Sequence, residues 1–230
     1  MHEELNYFGD SPSSKLPFPN QFDRINTFNY FINSYNFHNF SIISSIFYGT
    51  YENKTKCKKC QKLLYNFQKF EFISFGMCGY DNRVFNIYNG FEDNQKPQEL
   101  YGDNQFYCNN CHNLQDATII SKIIQPPNKL LINIDYGKNK RFKPSIVSFG
   151  ETIDITEYVD FNYGKKIEYQ IIGVCTHFGY SGSYGHYIAY CRNRENGKWY
   201  KFNDSSCTEC NKNDIYGGSP YLLLYERIYQ

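Results

Sequence analysis

The sequence carries almost no net charge: 24 basic residues against 23 acidic ones leave +1. A nucleic acid or an anionic membrane surface attracts a protein through a basic excess, and this balance supplies none. The opening residues Met1-His2-Glu3-Glu4-Leu5-Asn6 are polar and acidic, without the basic and apolar regions of a secretory leader. Apolar runs such as Tyr221-Leu222-Leu223-Leu224-Tyr225 fall far short of the ~20 residues a membrane-spanning helix needs. Internal repeats and low-complexity tracts are absent. Neither nucleic acid nor membrane is therefore expected as a partner. The nine cysteines are an odd number and cannot all be paired with one another. With no leader, a reducing compartment is expected, cytoplasmic or nuclear, where cysteine pairs bind metal before they form disulfides.

What the chain has in abundance is aromatic residues, 23 Tyr and 20 Phe. That bias is what an AT-rich coding sequence yields, so it says little about function. The 230 residues suffice for one sizeable core or one domain with an appendage.

Two of the three Cys-x-x-Cys pairs read as a metal site. Cys57-Lys58-Lys59-Cys60 and Cys108-Asn109-Asn110-Cys111 each let two sulfurs turn toward one ion. Together they supply the four thiolates of a closed tetrahedral zinc site, with no position left for a reactive water. The expected cofactor is thus structural zinc on Cys57, Cys60, Cys108 and Cys111; reduced thiols without metal are the other reading. Residues 61–107 lie between the knuckles, and loop-closure entropy grows only slowly with such length. The third pair, Cys207-Thr208-Glu209-Cys210, has no partner knuckle and reads as structural, and His112 reads as a bystander.

The second constellation is a hairpin. Gly185-His186-Tyr187-Ile188-Ala189-Tyr190 and Trp199-Tyr200-Lys201-Phe202-Asn203-Asp204 are β-prone runs around a polar segment closed by Asn196-Gly197. A loop over residues 193–197 places Arg192 across from Lys198 and His186 across from Asp204, with Asn203 one step away. A loop of Asn196-Gly197 alone places His186 across from Cys207. A one-residue slip turns every side chain to the other face, so the two readings differ chemically. An imidazole held by an amide or carboxylate can take and return a proton. A lone surface histidine on a strand is the alternative. Gly179, Gly182 and Gly185 predict a mobile loop leading into His186.

Along the chain, residues 1–8 are predicted as a helix end and residues 9–20 as a loop. Residues 21–40 are predicted as a helix with a core stripe of Phe22, Ile25, Phe28, Phe31 and Ile32. Two strands are expected in residues 50–75, around the first knuckle, and an irregular segment over residues 76–105. Further strands are predicted at Leu130–Ile134, Thr152–Thr156, Glu168–Val174 and Pro220–Arg227.

Gly185-His186-Tyr187-x-Ala189-Tyr190 followed by Trp199-Tyr200-x-Phe202-Asn203-Asp204-Ser205-Ser206 resembles the histidine box of the ubiquitin-specific proteases. His2-Glu3-Glu4-Leu5-Asn6 resembles the end of a helix in that family, and Ser41–Gly49 resembles the short helix that leads into its zinc-binding fingers. The resemblance implies an α+β fold of the papain-like cysteine protease type: a mainly antiparallel palm sheet with zinc-ribbon fingers, lacking most of the thumb. It divides the chain into a helical part over residues 1–48, fingers over 49–125 and a palm over 126–230. It implies deubiquitination, the hydrolysis of ubiquitin–protein isopeptide bonds, with ubiquitin and ubiquitinated proteins as partners. His186 would be the general base, Asn203 its orienting residue and Asp204 a supporting polar group.

The family's nucleophile box, Gly-Asn-Thr-Cys-Tyr, has no match here, and neither does its Gln-Gln-Asp-Ala element. The resemblance places Met1 beyond both. Among the chain's own cysteines, Cys191 shares a strand with His186 but faces the other way, Cys78 has no helix start behind it, and Cys175 shares parity with His177. The expectation is a truncated, inactive part of the domain; a ubiquitin-binding pseudoenzyme is the alternative, and a zinc-ribbon nucleic-acid binder is disfavoured by charge.

Overall fold

The computed structural model describes residues 20–137, 146–160, 164–181 and 184–229. The helix end and most of the loop expected over residues 1–20, and Gly182, lie outside them. The α-helices among the described residues are α1 (Arg24–Asn39), α2 (Ile42–Phe47) and α3 (Ile87–Asn94). The strands begin with β1 (Gly49–Cys57), β2 (Leu63–Phe70), β3 (Ile73–Gly76), β4 (Val84–Asn86), β5 (Gln98–Leu100), β6 (Phe106–Cys108), β7 (Asn113–Gln115) and β8 (Ala117–Gln125). They continue with β9 (Lys129–Asp135), β10 (Ile146–Ser148), β11 (Thr152–Asp154), β12 (Glu168–Ser181), β13 (Tyr184–Arg192), β14 (Trp199–Asn203), β15 (Ser206–Cys210) and β16 (Pro220–Ile228). The fold is α+β and mostly antiparallel; the parallel pairs are β4–β10 and β3–β9.

Two compact units share these elements. The first draws on the described residues within Met1–Glu71, Asn94–Asn128 and Tyr158–Tyr163. Its sheet runs β2-β1-β8-β5, with β6–β7 as a separate ribbon. Asp23 caps α1 by accepting from the Asn26 N–H, and a Ser41/Ser44 capping box starts α2. The expected apolar stripe on α1 is corrected in part. Phe28 and Phe31 pack on Phe67, with ring centroids 5.1 and 6.1 Å apart, but Ile25 is 71% exposed. The helix is turned by Arg24, whose guanidinium forks onto the fully buried Glu52 carboxylate of β1, Nη2 to Oε2 at 2.8 Å. Lys54 joins this cluster at 3.1 Å from Glu52 and 2.7 Å from Asp160, which balances the buried charge.

The second unit draws on Phe72–Asp93, Lys129–Glu157 and Gly164–Gln230. Its sheet runs β15-β14-β13-β12-β16-β9-β3, with β11 beside β12. One face is the core: Ile132, Tyr225, Leu223, Val174, Ile188, Tyr190 and Trp199 are all buried. The expected irregular segment over residues 76–105 is also corrected, because it holds β4, α3 and β5. The Asn86 side chain accepts from the Tyr88 N–H at 3.0 Å and so caps α3, whose Ile87, Gly90 and Phe91 are buried. β8 was not expected either; eight of the nine residues of Ala117–Gln125 pair with β1. Glu168–Val174 proves to be the start of the longer β12, which carries Gly179 in a strand rather than a loop.

Candidate active site and metal site

The hairpin of β13 and β14 closes on a register that neither expected loop gives. Asn193 N–H donates to the Lys198 carbonyl at 2.8 Å, so the loop is residues 194–197. The Asn193 side chain accepts from the Glu195 and Asn196 N–H groups, and Gly197 takes the left-handed φ of +71°. Arg192 then faces Trp199 and Ala189 faces Phe202. This one-residue difference decides the chemistry. Continued along the strands, the pairing puts His186 on the same face as Asn203, and turns it away from the expected direct pairing with Asp204 or Cys207.

His186 Nε2 is in hydrogen-bond contact with Asn203 Oδ1. An amide oxygen only accepts, so Nε2 carries the proton. In the neutral ring this leaves the Nδ1 lone pair free as a base. Asp204 Oδ2 lies 4.0 Å from Nε2, beyond a direct hydrogen bond, and the Asp204 side chain is 81% exposed. Asp204 sits at φ +51° where β14 turns into β15, with Asn203 paired to Ser206. It can contribute a field on the ring but does not hold it. Among the described residues, the polar groups in reach of His186 are these two. Cys191, two residues from Ala189, shares the opposite sheet face with Tyr200, Phe202 and Cys207. Cys207 and Cys210 lie three apart on β15 and therefore point to opposite faces, so this third pair is no knuckle.

The four cysteines of the other two pairs converge in the first unit. Their sulfurs all lie within 4.8 Å of one another, with Cys57–Cys111 at 4.0 Å and Cys60–Cys108 at 3.7 Å. Tetrahedral coordination at ~2.3 Å spaces sulfurs by about 3.8 Å, so the cluster is compatible with zinc. The two knuckles are built alike. Gln61 N–H donates to the Cys57 carbonyl at 2.9 Å, and His112 N–H donates to the Cys108 carbonyl at 2.8 Å. Both Gln61 and His112 adopt left-handed backbone, φ 60° and 53°. His112 thus occupies the turn position that Gln61 occupies in the first knuckle. A hydrogen bond from the Lys62 backbone lowers the Cys60 thiol to about 7, which favours a thiolate donor, whereas burial raises Cys111 to about 12.

The sequence profile described as Ubiquitin carboxyl-terminal hydrolase matches residues 1–225. The chain belongs to that family. Among its relatives, mouse Ubiquitin carboxyl-terminal hydrolase 17-like protein B is 29% identical over 192 residues, covering 80% of this chain and 39% of the relative. Ubiquitin carboxyl-terminal hydrolase 16 of Arabidopsis thaliana is 28% identical over 81% of this chain and 18% of the relative. The chain therefore spans less than half the length of these relatives. A chain in the solved structure of yeast SAGA DUBm superposes with a TM-score of 0.71 at 22% identity, covering 87% of this chain and 45% of that one. This likeness concerns the fold.

Proposed function

We propose that this chain supplies the base half of a ubiquitin-specific thiol protease, acting on isopeptide bonds between ubiquitin and other proteins. The observation that carries this reading is the contact between His186 and Asn203 within a member of the ubiquitin carboxyl-terminal hydrolase family. Asn203 accepts the Nε2 proton and fixes the tautomer, as an orienting residue must. Nδ1 then takes the proton of a cysteine thiol, and the thiolate attacks the isopeptide carbonyl. The imidazolium returns its proton to the leaving lysine amine, and water hydrolyses the resulting thioester. Asp204, 4.0 Å from Nε2, is a supporting polar group beside the ring.

None of the described cysteines stands beside His186, so the thiol comes from outside the described residues and the chain alone does not turn over substrate. That same observation favours a second reading, a ubiquitin-binding pseudoenzyme. Zinc on Cys57, Cys60, Cys108 and Cys111 would hold the fingers as a closed structural site and take no part in the reaction. A reducing cytoplasm or nucleus keeps these thiols available. The test is incubation of the chain with a fluorogenic ubiquitin substrate. No release of fluorophore is expected; turnover abolished by replacing a single cysteine of this chain would overturn the assignment of the thiol.

A further inference from the structure

The position of His186 depends on very little backbone pairing. The β13–β14 ladder ends at Ala189–Phe202, so His186 has no directly opposite partner on β14. On its other side, the β12–β13 ladder is regular from Gly173–Cys191 to Phe178–His186 and then shifts before Ser181–Tyr184. His186 is thus the last residue in register before an irregularity. A slip there would carry its ring to the other face of the sheet, away from Asn203.

At this point one buried side chain bridges the strands. His177 on β12 is 5% exposed and lies directly opposite Tyr187. Its ring meets the Tyr187 ring at 4.5 Å between centroids. It also fills the space over Gly185: a Cβ there would lie 2.1 Å from His177 Nε2 and 2.6 Å from the Phe178 carbonyl oxygen. Position 185 accepts only glycine for that reason. Tyr187 is braced in turn by Tyr221, 5.4 Å away, and the His177 N–H donates to the Ser219 carbonyl at 3.1 Å.

We infer that His177 is a positioning residue for His186, its ring clamping Gly185 and Tyr187 on one face of the sheet so that the residue between them points to Asn203 on the other. The role in catalysis rests on the proposed function; the geometry does not. Alternation along a strand makes the clamp effective, since two fixed neighbours on one face leave the middle side chain a single direction. His177 touches no reacting atom and acts through the backbone.

The experiment is NMR of the ring N–H of His186 in the isotopically labelled chain, alongside His177→Ala and His177→Phe. The unaltered chain is expected to show a slowly exchanging Nε2–H held by Asn203. His177→Ala is expected to lose it, and His177→Phe, which keeps a flat ring over Gly185, to retain it. A His177→Ala chain that melts lower but keeps the resonance would mean that His177 is core filling only, and the inference would fail. Loss of the resonance in both variants would fail it too. If His177→Ala does not fold, Tyr187→Leu removes the stack instead; the resonance should be lost, and its retention counts against the clamp. Failure of ubiquitin binding would sink the proposed function while leaving this readout intact.

Discussion

Asp160 shows how a single carboxylate can be judged by its surroundings. Burial pushes its pKa up, but the hydrogen bond from Lys54, with the charges of Lys54 and Arg24, outweighs this and holds it below the usual carboxylate range. A folded pKa below the unfolded value of about 3.9 stabilises above that pH, and the gain is lost as pH falls through the folded value. Asp160 is a third exposed, so solvent screening keeps the contribution at or below about 1 kcal/mol. Asp160→Asn is accordingly expected to be less stable than the parent chain at pH 7, with the difference shrinking as pH falls below about 4 and gone only below the lowered folded pKa. Denaturant titrations at several pH values check this; a difference that grows in acid would contradict it. His186 and Asn203 were legible at this scale because the histidine box is long. The register of the hairpin that carries them was not. It depends on whether residue 193 pairs across the hairpin or joins its loop, and the polar run Asn193–Gly197 is compatible with both.

Among the elements, α3 tests whether packing or propensity decides. Replacing an interior helical glycine by alanine ordinarily stabilises by about 1 kcal/mol. Here a Cβ on Gly90 would lie 2.2 Å from the Phe75 ring, which is itself fully buried and packed on Phe91 at 4.9 Å. Overpacking costs roughly 1–3 kcal/mol, so Gly90→Ala is expected to destabilise on balance. A higher melting temperature would show that Phe75 moves aside. The same element explains what sequence reading missed. Asn86, Asn89 and Gly90 are typical of loops, and they break up the apolar Ile87, Tyr88 and Phe91. The helix is held by the Asn86 cap and by Ile87, Gly90 and Phe91 facing the core, which is a tertiary effect. β8 carries little strand signal because Ala117–Gln125 lacks strict alternation, being half-buried along much of its length. The knuckles, the strands around the first of them and β16 were readable, because fixed cysteine spacing and a short apolar run need no distant partner.

For the molecule as a whole, the four-cysteine cluster carries the largest single consequence. Structural zinc on four thiolates contributes of the order of 10 kcal/mol to folding, and its ligands must be deprotonated. A strong chelator is expected to lower the melting temperature sharply and to release a single zinc per chain by atomic absorption. Cys60→Ser should do the same, while His112→Gly should keep the metal and change stability by less than about 1 kcal/mol, its left-handed φ suiting glycine. Metal lost from His112→Gly, or a chain indifferent to chelation, would contradict the reading of the cluster.

Under the proposed function, the chain recognises ubiquitin and offers it an oriented imidazole without a thiol. The most direct measurement is a ubiquitin titration of the 230-residue chain, run in parallel with a ubiquitin probe that traps reactive cysteines. Saturable binding with no covalent adduct is predicted. An adduct that disappears on replacing one of the chain's own cysteines, or no binding at all, would contradict it.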